Sequence, residues 1–169
     1  MEKLYAIAGK ARSGKDSVAL IMEKYYQDKK ILIYPCTLYL KKLVSKIYDW
    51  DGHEDTKPRE LLQRLGGEVK EIYPDYFIKR MEEDIRFLDD YCDIMIITGV
   101  RLVKELDFLK DQGAILIKVE RGSGNNLTLD EQKDITETDV DNYSDYDFII
   151  ENNDDLNKLE EKVIKILEG

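Results

Sequence analysis

Nine consecutive residues, Gly9-Lys10-Ala11-Arg12-Ser13-Gly14-Lys15-Asp16-Ser17, have the types and spacing that suit holding a phosphate group. Gly9 and Gly14 let the backbone turn so that successive N–H groups face an anion, and Lys15 carries a charge far enough to reach the outer phosphates. The alternative is an ordinary glycine-rich turn. What separates the two is context: a phosphate-binding loop follows a strand and opens a helix, whose positive end adds to the amides. Both neighbours are present, an apolar run at 4–8 and an amphipathic stretch at 17–26 with Val18, Ile21, Met22 and Tyr25 on one face. After Lys15, where such loops usually place a hydroxyl residue beside a magnesium ion, stands Asp16. A carboxylate cannot imitate a hydroxyl next to phosphate, so Asp16 either holds Mg2+ through water or favours the positive end of the helix.

The elements that must position this loop follow from hydropathy. Short apolar runs at 4–8, 31–34, 94–98, 114–119 and 148–150 alternate with amphipathic stretches at 17–26, 102–111 and 156–167. This predicts an α/β fold with a five-stranded parallel sheet, helices on both faces and right-handed crossovers. Two stretches break the alternation. Residues 36–92 are helical in pattern with no strand, and polar residues 122–144 read as a lid or a disordered loop. We expect one domain over 1–169, with 36–92 as a helical insert.

With the Gly-Lys-Asp-Ser ending in view, the chain resembles the deoxynucleoside monophosphate kinase and phosphomevalonate kinase branch of P-loop kinases, built like adenylate kinase. Pro58-Arg59-Glu60-Leu61-Leu62-Gln63-Arg64-Leu65-Gly66 is similar to their Arg-x-Leu-Leu-Gln-x-x-Gly segment. Ile96-Ile97-Thr98-Gly99-Val100-Arg101 resembles their strand ending Asp-Val-Arg, and Ile117-Lys118-Val119-Glu120-Arg121 the strand that leads into the lid. Thr136-Glu137-Thr138-Asp139 and Asp147-Phe148-Ile149-Ile150-Glu151-Asn152-Asn153 match C-terminal stretches of the family. The resemblance implies the three-layer P-loop NTPase fold and transfer of the γ-phosphoryl of ATP, with Mg2+, to a (deoxy)nucleoside 5'-monophosphate. The same build also serves phosphomevalonate or dephospho-coenzyme A. One position departs from the pattern: Gly99 stands where these kinases carry a magnesium-orienting Asp. It either allows close backbone approach or marks an activity that is weak or lost, in which case the chain is a nucleotide-binding sensor. Asp16, Glu120 and Glu137 are the carboxylates left to assist the metal.

The basic residues divide by position. Lys15 is expected to stabilise charge on the transferred group. Arg101 is delivered to the C-terminal edge of the sheet, where open α/β folds bind ligands; the resemblance makes it an acceptor or transition-state ligand, and the alternative is an ion pair with Glu105. Arg121 opens the lid, either closing over phosphates or remaining a solvated arginine. Arg59 and Gln63 share a helix face and suit an acceptor, guanidinium for phosphate and amide for a base or sugar edge. Arg64 and Glu60 read as a surface pair. Lys41 and Lys42 resemble the Leu-Lys after the second family strand, or form the wet face of a helix. His53 lies in a polar turn, and a transition-metal site is not expected.

The chain has 169 residues and a formal charge of −10. Residues 130–169 hold 14 acidic against 4 basic residues, a net of −10, so residues 1–129 are neutral. This balance argues against a general nucleic-acid binder. Cys36 and Cys92 make no disulfide framework, and neither a leader nor a membrane span is read. The expectation is a cytoplasmic monomer or homodimer acting on small-molecule nucleotides.

Overall fold

The computed structural model describes residues 1–53, 56–122 and 139–169. Two compact units form: Met1–Tyr34 with Asp89–Gly169, and Pro35–Leu88.

The first unit is a five-stranded parallel sheet in the order β2-β3-β1-β4-β5. The strands are β1 (Lys3–Ala8), β2 (Ile31–Pro35), β3 (Ile94–Val100), β4 (Ile115–Glu120) and β5 (Phe148–Glu151). Its helices are α1 (Lys15–Tyr25), α5 (Val103–Asp111) and α6 (Leu156–Glu168), with a short 3-10 turn at Asp139–Asp141. Strand alternation sorts the core into two layers. Tyr5, Ile7, Ile94, Ile96, Ile117 and Val119 pack with Val18 and Met22 of α1 and with Leu159 and Val163 of α6. The intervening residues Ala6, Met95, Ile97 and Leu116 are equally buried and point the other way, toward the face that α5 covers with Leu106 and Leu109. Near-continuous apolar runs are what a parallel sheet covered on both faces requires.

β1 is the central strand, with β3 on one side and β4 on the other. The loop after β1 therefore opens at the point where the strand order reverses, the position at which open α/β sheets take ligands. One irregularity lies beside it. Ile7 pairs with Thr98 but Ala8 with Val100, so Gly99 is the extra residue of a β-bulge, at φ 77. A Cβ there would meet nothing within 4 Å. Among the described residues nothing crowds that position, and the left-handed backbone of the bulge by itself favours glycine.

The second unit comprises α2 (Leu38–Ile47), α3 (Arg59–Ile72) and α4 (Tyr76–Leu88). Gly66 lets Leu40 of α2 approach α3, since a Cβ on it would lie 3.0 Å from Leu40 Cδ2. Cys36 Sγ lies 3.8 Å from Met81 Sδ, and the Tyr39 hydroxyl donates to Asp84 Oδ1 at 3.0 Å. Among the described residues no helix is long and apolar enough to cross a membrane.

Candidate functional site

The phosphate loop bends because its backbone leaves the ordinary regions three times, at Gly9 (φ 145), Arg12 (φ 61) and Gly14 (φ 102). A Cβ on Gly9 would collide with the Val119 carbonyl, and one on Gly14 with the Asn152 amide, so both glycines are required by space as well as by φ. Ser13 N–H donates to the Lys10 carbonyl at 3.2 Å, closing the turn, and Lys15 Nζ donates to the same carbonyl at 2.5 Å. Lys15 opens α1 and is buried.

An anion fits this loop on two observations. The Ser13 hydroxyl is 1% exposed and has no hydrogen-bond partner among the described residues, a costly state that an acceptor group in the loop would relieve. The helix start at Gly14 carries no side-chain cap, leaving the first-turn amides to another acceptor.

Beside the loop is a cavity of about 300 Å³, lined among others by Gly9, Lys10, Ser13, Lys118, Arg121 and Asp141. Its charges are organised around Asp141. One carboxylate oxygen lies 2.6 Å from Lys10 Nζ and the other 3.2 Å from Lys118 Nζ, which also meets Glu120 at 2.7 Å. Lys118 projects from β4 with its side chain 10% exposed, its ammonium 5.7 Å from the Tyr146 ring centre. Burial acts to lower the Lys118 value, but the hydrogen bonds with Glu120 and Asp141 outweigh it and hold the ammonium above its usual range. Burial likewise acts to raise Asp141, and Lys10 and Lys118 outweigh it and hold the carboxyl below the usual range. Tyr146, whose hydroxyl donates to the Val140 carbonyl, is pushed up by burial and then by the Asp141 charge.

The remaining expected site residues divide between the units. Lys10, Ala11, Arg12, Ser13, Gly14, Lys15, Asp16 and Ser17 form the loop and the start of α1, with Asp16 exposed on the first helical turn. Arg121 follows β4 at the cavity wall, and Arg101 follows β3 half-buried. Glu105, the alternative ionic partner of Arg101, accepts from the backbone N–H groups of Arg101 (3.0 Å) and Leu102 (3.2 Å), and Asp139 accepts from Val103 N–H at 2.7 Å. Both carboxylates thus serve the start of α5. In the other unit, Arg59 and Gln63 stand one turn apart and exposed on α3, with Lys41 on α2. Arg64 lies 3.9 Å from Glu60, and His53 is exposed in its turn. Of the carboxylates considered for a metal, Glu120 is engaged by Lys118, and Glu137, with most of the 122–144 lid, falls outside the described residues. Among the described residues no group of three or more His, Cys, Asp or Glu converges to hold a metal.

Four residues do not stand out in the sequence. Lys118 has a signal, a lysine inside an apolar strand. Asp141 has none beyond lying in the lid. Asn152 closes the Asn-Asn motif on the loop, with Nδ2 donating to the Ser13 carbonyl at 2.8 Å. Arg80 lies over the rings of Tyr39 and Tyr76, at 5.8 and 5.5 Å, and pairs with Glu83 at 2.8 Å. The other members of the C-terminal motif are structural: Asp147 accepts from Leu116 N–H and Asn153 from Gly122 N–H.

This architecture recurs in shikimate kinase from Aquifex aeolicus, with a TM-score of 0.57 and 18% identity over 98% of this chain and 96% of that one. It recurs also in shikimate kinase from Acinetobacter baumannii, solved in complex with shikimate, with a TM-score of 0.50 and 12% identity over 99% and 93%. At such identities the likeness carries the P-loop NTPase fold alone. None of the curated proteins matches the sequence. The model of the deoxynucleotide monophosphate kinase family matches residues 38–163, which takes in α2 to α4, the sheet from β3 onward and most of α6. With that match over most of its length and a phosphate loop at the switch point of its sheet, the chain belongs to the deoxynucleotide monophosphate kinase family and is a nucleotide kinase of P-loop fold.

Proposed function

We propose that the protein transfers the γ-phosphoryl group of ATP to a deoxynucleoside or nucleoside 5'-monophosphate. The observation that carries the reading is the buried Ser13 hydroxyl, without a partner among the described residues, inside a glycine-bounded loop at an uncapped helix start, within a chain of this family. The chemistry asks for position and positive charge rather than proton transfer. A phosphomonoester has its second pKa near ~6 and is already a competent oxyanion at neutral pH, so no general base is required. That agrees with a single exposed histidine.

In this reading residues 9–17 hold the donor phosphates through backbone amides, and Lys15 neutralises charge on the transferred group. Arg121 attends the donor side and Arg101 the acceptor phosphate. Lys41, Arg59 and Gln63 bind the acceptor, with Gln63 reading its base or sugar. Magnesium, when bound, neutralises the phosphate oxygens, and Asp16 is the carboxylate that would hold it, through water.

The test is ADP formation against a panel of acceptors, compared with Lys15→Ala. Turnover of nucleoside monophosphates that the variant lacks supports the reading. Preference for phosphomevalonate or dephospho-coenzyme A would reassign the acceptor. Tight ATP binding with no turnover above the Lys15→Ala level would make the chain a sensor.

A further inference from the structure

We propose that Asn152 is a positioning residue that fixes the Ser13–Gly14 peptide of the phosphate loop, and with it the direction of the Gly14 N–H. The inference rests on the phosphate-loop reading above and extends it to a residue outside the loop.

Asn152 follows β5 and is 8% exposed. Its backbone N–H donates to the Glu120 carbonyl at 2.7 Å, which ties it to the end of β4, and its Nδ2 donates to the Ser13 carbonyl at 2.8 Å. A planar trans peptide sends its C=O and N–H to opposite sides. Holding the Ser13 carbonyl toward Asn152 therefore holds the Gly14 N–H on the other side.

The tie is needed because glycine offers little resistance to rotation of the adjoining peptide. Arg12 and Gly14, at φ 61 and 102, bracket a stretch whose own conformation is unfavourable for most residues. A flipped Ser13–Gly14 unit would exchange a donor for a carbonyl dipole in a loop that must present donors to an anion. Gly14 also makes the contact possible, since a Cβ there would collide with the Asn152 amide nitrogen. The second glycine of the motif and Asn152 thus form one device, made of residues far apart in the chain.

Three variants test this. Asn152→Asp keeps the side chain's shape but exchanges its donor for a charged acceptor, Asn152→Ala removes the group without adding charge, and Val163→Ala in α6 lowers stability without touching the loop. The readouts are 15N relaxation of the Gly14 amide in the nucleotide-free protein and calorimetric affinity for inorganic pyrophosphate. Both Asn152 variants are expected to show a mobile Gly14 amide and about tenfold weaker pyrophosphate binding, whereas Val163→Ala lowers the Tm and leaves both unchanged. A rigid Gly14 with undiminished affinity in Asn152→Ala would overturn the proposal, as would an equal loss in Val163→Ala. The relaxation measurement needs no ligand, so it decides on Asn152 even if the wild-type protein fails to bind ATP, a result that would instead defeat the proposed function.

Discussion

Lys10 Nζ lies 2.6 Å from a carboxylate oxygen of Asp141, so a loop shaped to hold an anion already has one at its rim. The carboxylate belongs to the acidic end of the chain and the lysine to the neutral part. Because Asp141 also holds Lys118, a phosphate drawing on Lys10 competes with a two-lysine clasp.

Asp141→Asn should therefore raise affinity for ATP, and the gain should shrink with salt. Lys10 is partly exposed, and its attraction for a polyanion is screened beyond about 3 Å at about 1 M salt. Titration at low and high salt checks both the sign and the screening. Unchanged or weaker binding at low salt would mean that the clasp orders the site rather than occupying it.

The same carboxylate predicts an acid limb of stability. Its value is depressed in the folded state, so its contribution is present above the unfolded value of about 3.9 and is lost as pH falls through the lower folded value. In denaturant titrations below about pH 4, the wild type should lose stability more steeply than Asp141→Asn, with the two curves parallel at neutral pH.

At Gly99 the constraint is backbone and not space, which separates substitutions by φ alone. Gly99→Ala should cost about 1–2 kcal/mol by thermal unfolding, and Gly99→Asn or Gly99→Asp less, because Asx side chains tolerate the left-handed region. Equal losses for all three would show that the bulge itself rearranges. Magnesium affinity of Gly99→Asp can then be read against a known folding cost.

Two adjacent helical glycines should respond differently. Gly67 is exposed in α3, and a Cβ on it would meet nothing within 4 Å, so Gly67→Ala should stabilise by about 0.5–1 kcal/mol. Gly66→Ala gains the same helix propensity but presses on Leu40, and should stabilise less or destabilise. Denaturant midpoints of the two variants provide the comparison.

Arg59 and Arg64 lie on the same helix and differ in prospect. Arg59→Ala should raise the acceptor KM about tenfold or more, whereas Arg64→Ala, which removes only an exposed pair with Glu60, should leave KM and kcat within about twofold. A matching loss in both would point to helix α3 as a whole and not to one guanidinium.

The central strands β1, β3 and β4 are readable because both faces of the sheet are buried around them, which writes each as a near-continuous apolar run, broken in β4 by Lys118. The limits differ by one or two residues, as at β3, which continues through Gly99 to Val100 because a bulge hides the extra residue inside the ladder. The loop is legible because Gly9 and Gly14 are local requirements. Lys118, Asp141 and Asn152 are not, since each acts on residues distant in sequence: Asp141 joins Lys10 to Lys118, and Asn152 reaches Ser13. Glu105 has a role that its spacing from Arg101 does not suggest. It stands three residues into a helix whose N-cap residue, Leu102, has no side-chain oxygen to offer, and it accepts from the amides there.

The three-helix unit leaves the sheet at the end of β2 and returns before β3, and these strands are neighbours. Across the gap, Lys30 N–H donates to the Asp93 carboxylate and Asp93 N–H to the Lys30 carbonyl, so the start of β2 is fastened to the start of β3. Chain closure around the excursion is thereby met by the scaffold, and closure cost grows only slowly with length. A change of length in that stretch is therefore expected to leave β2 beside β3, and with them the sheet whose strand β1 leads into the phosphate loop.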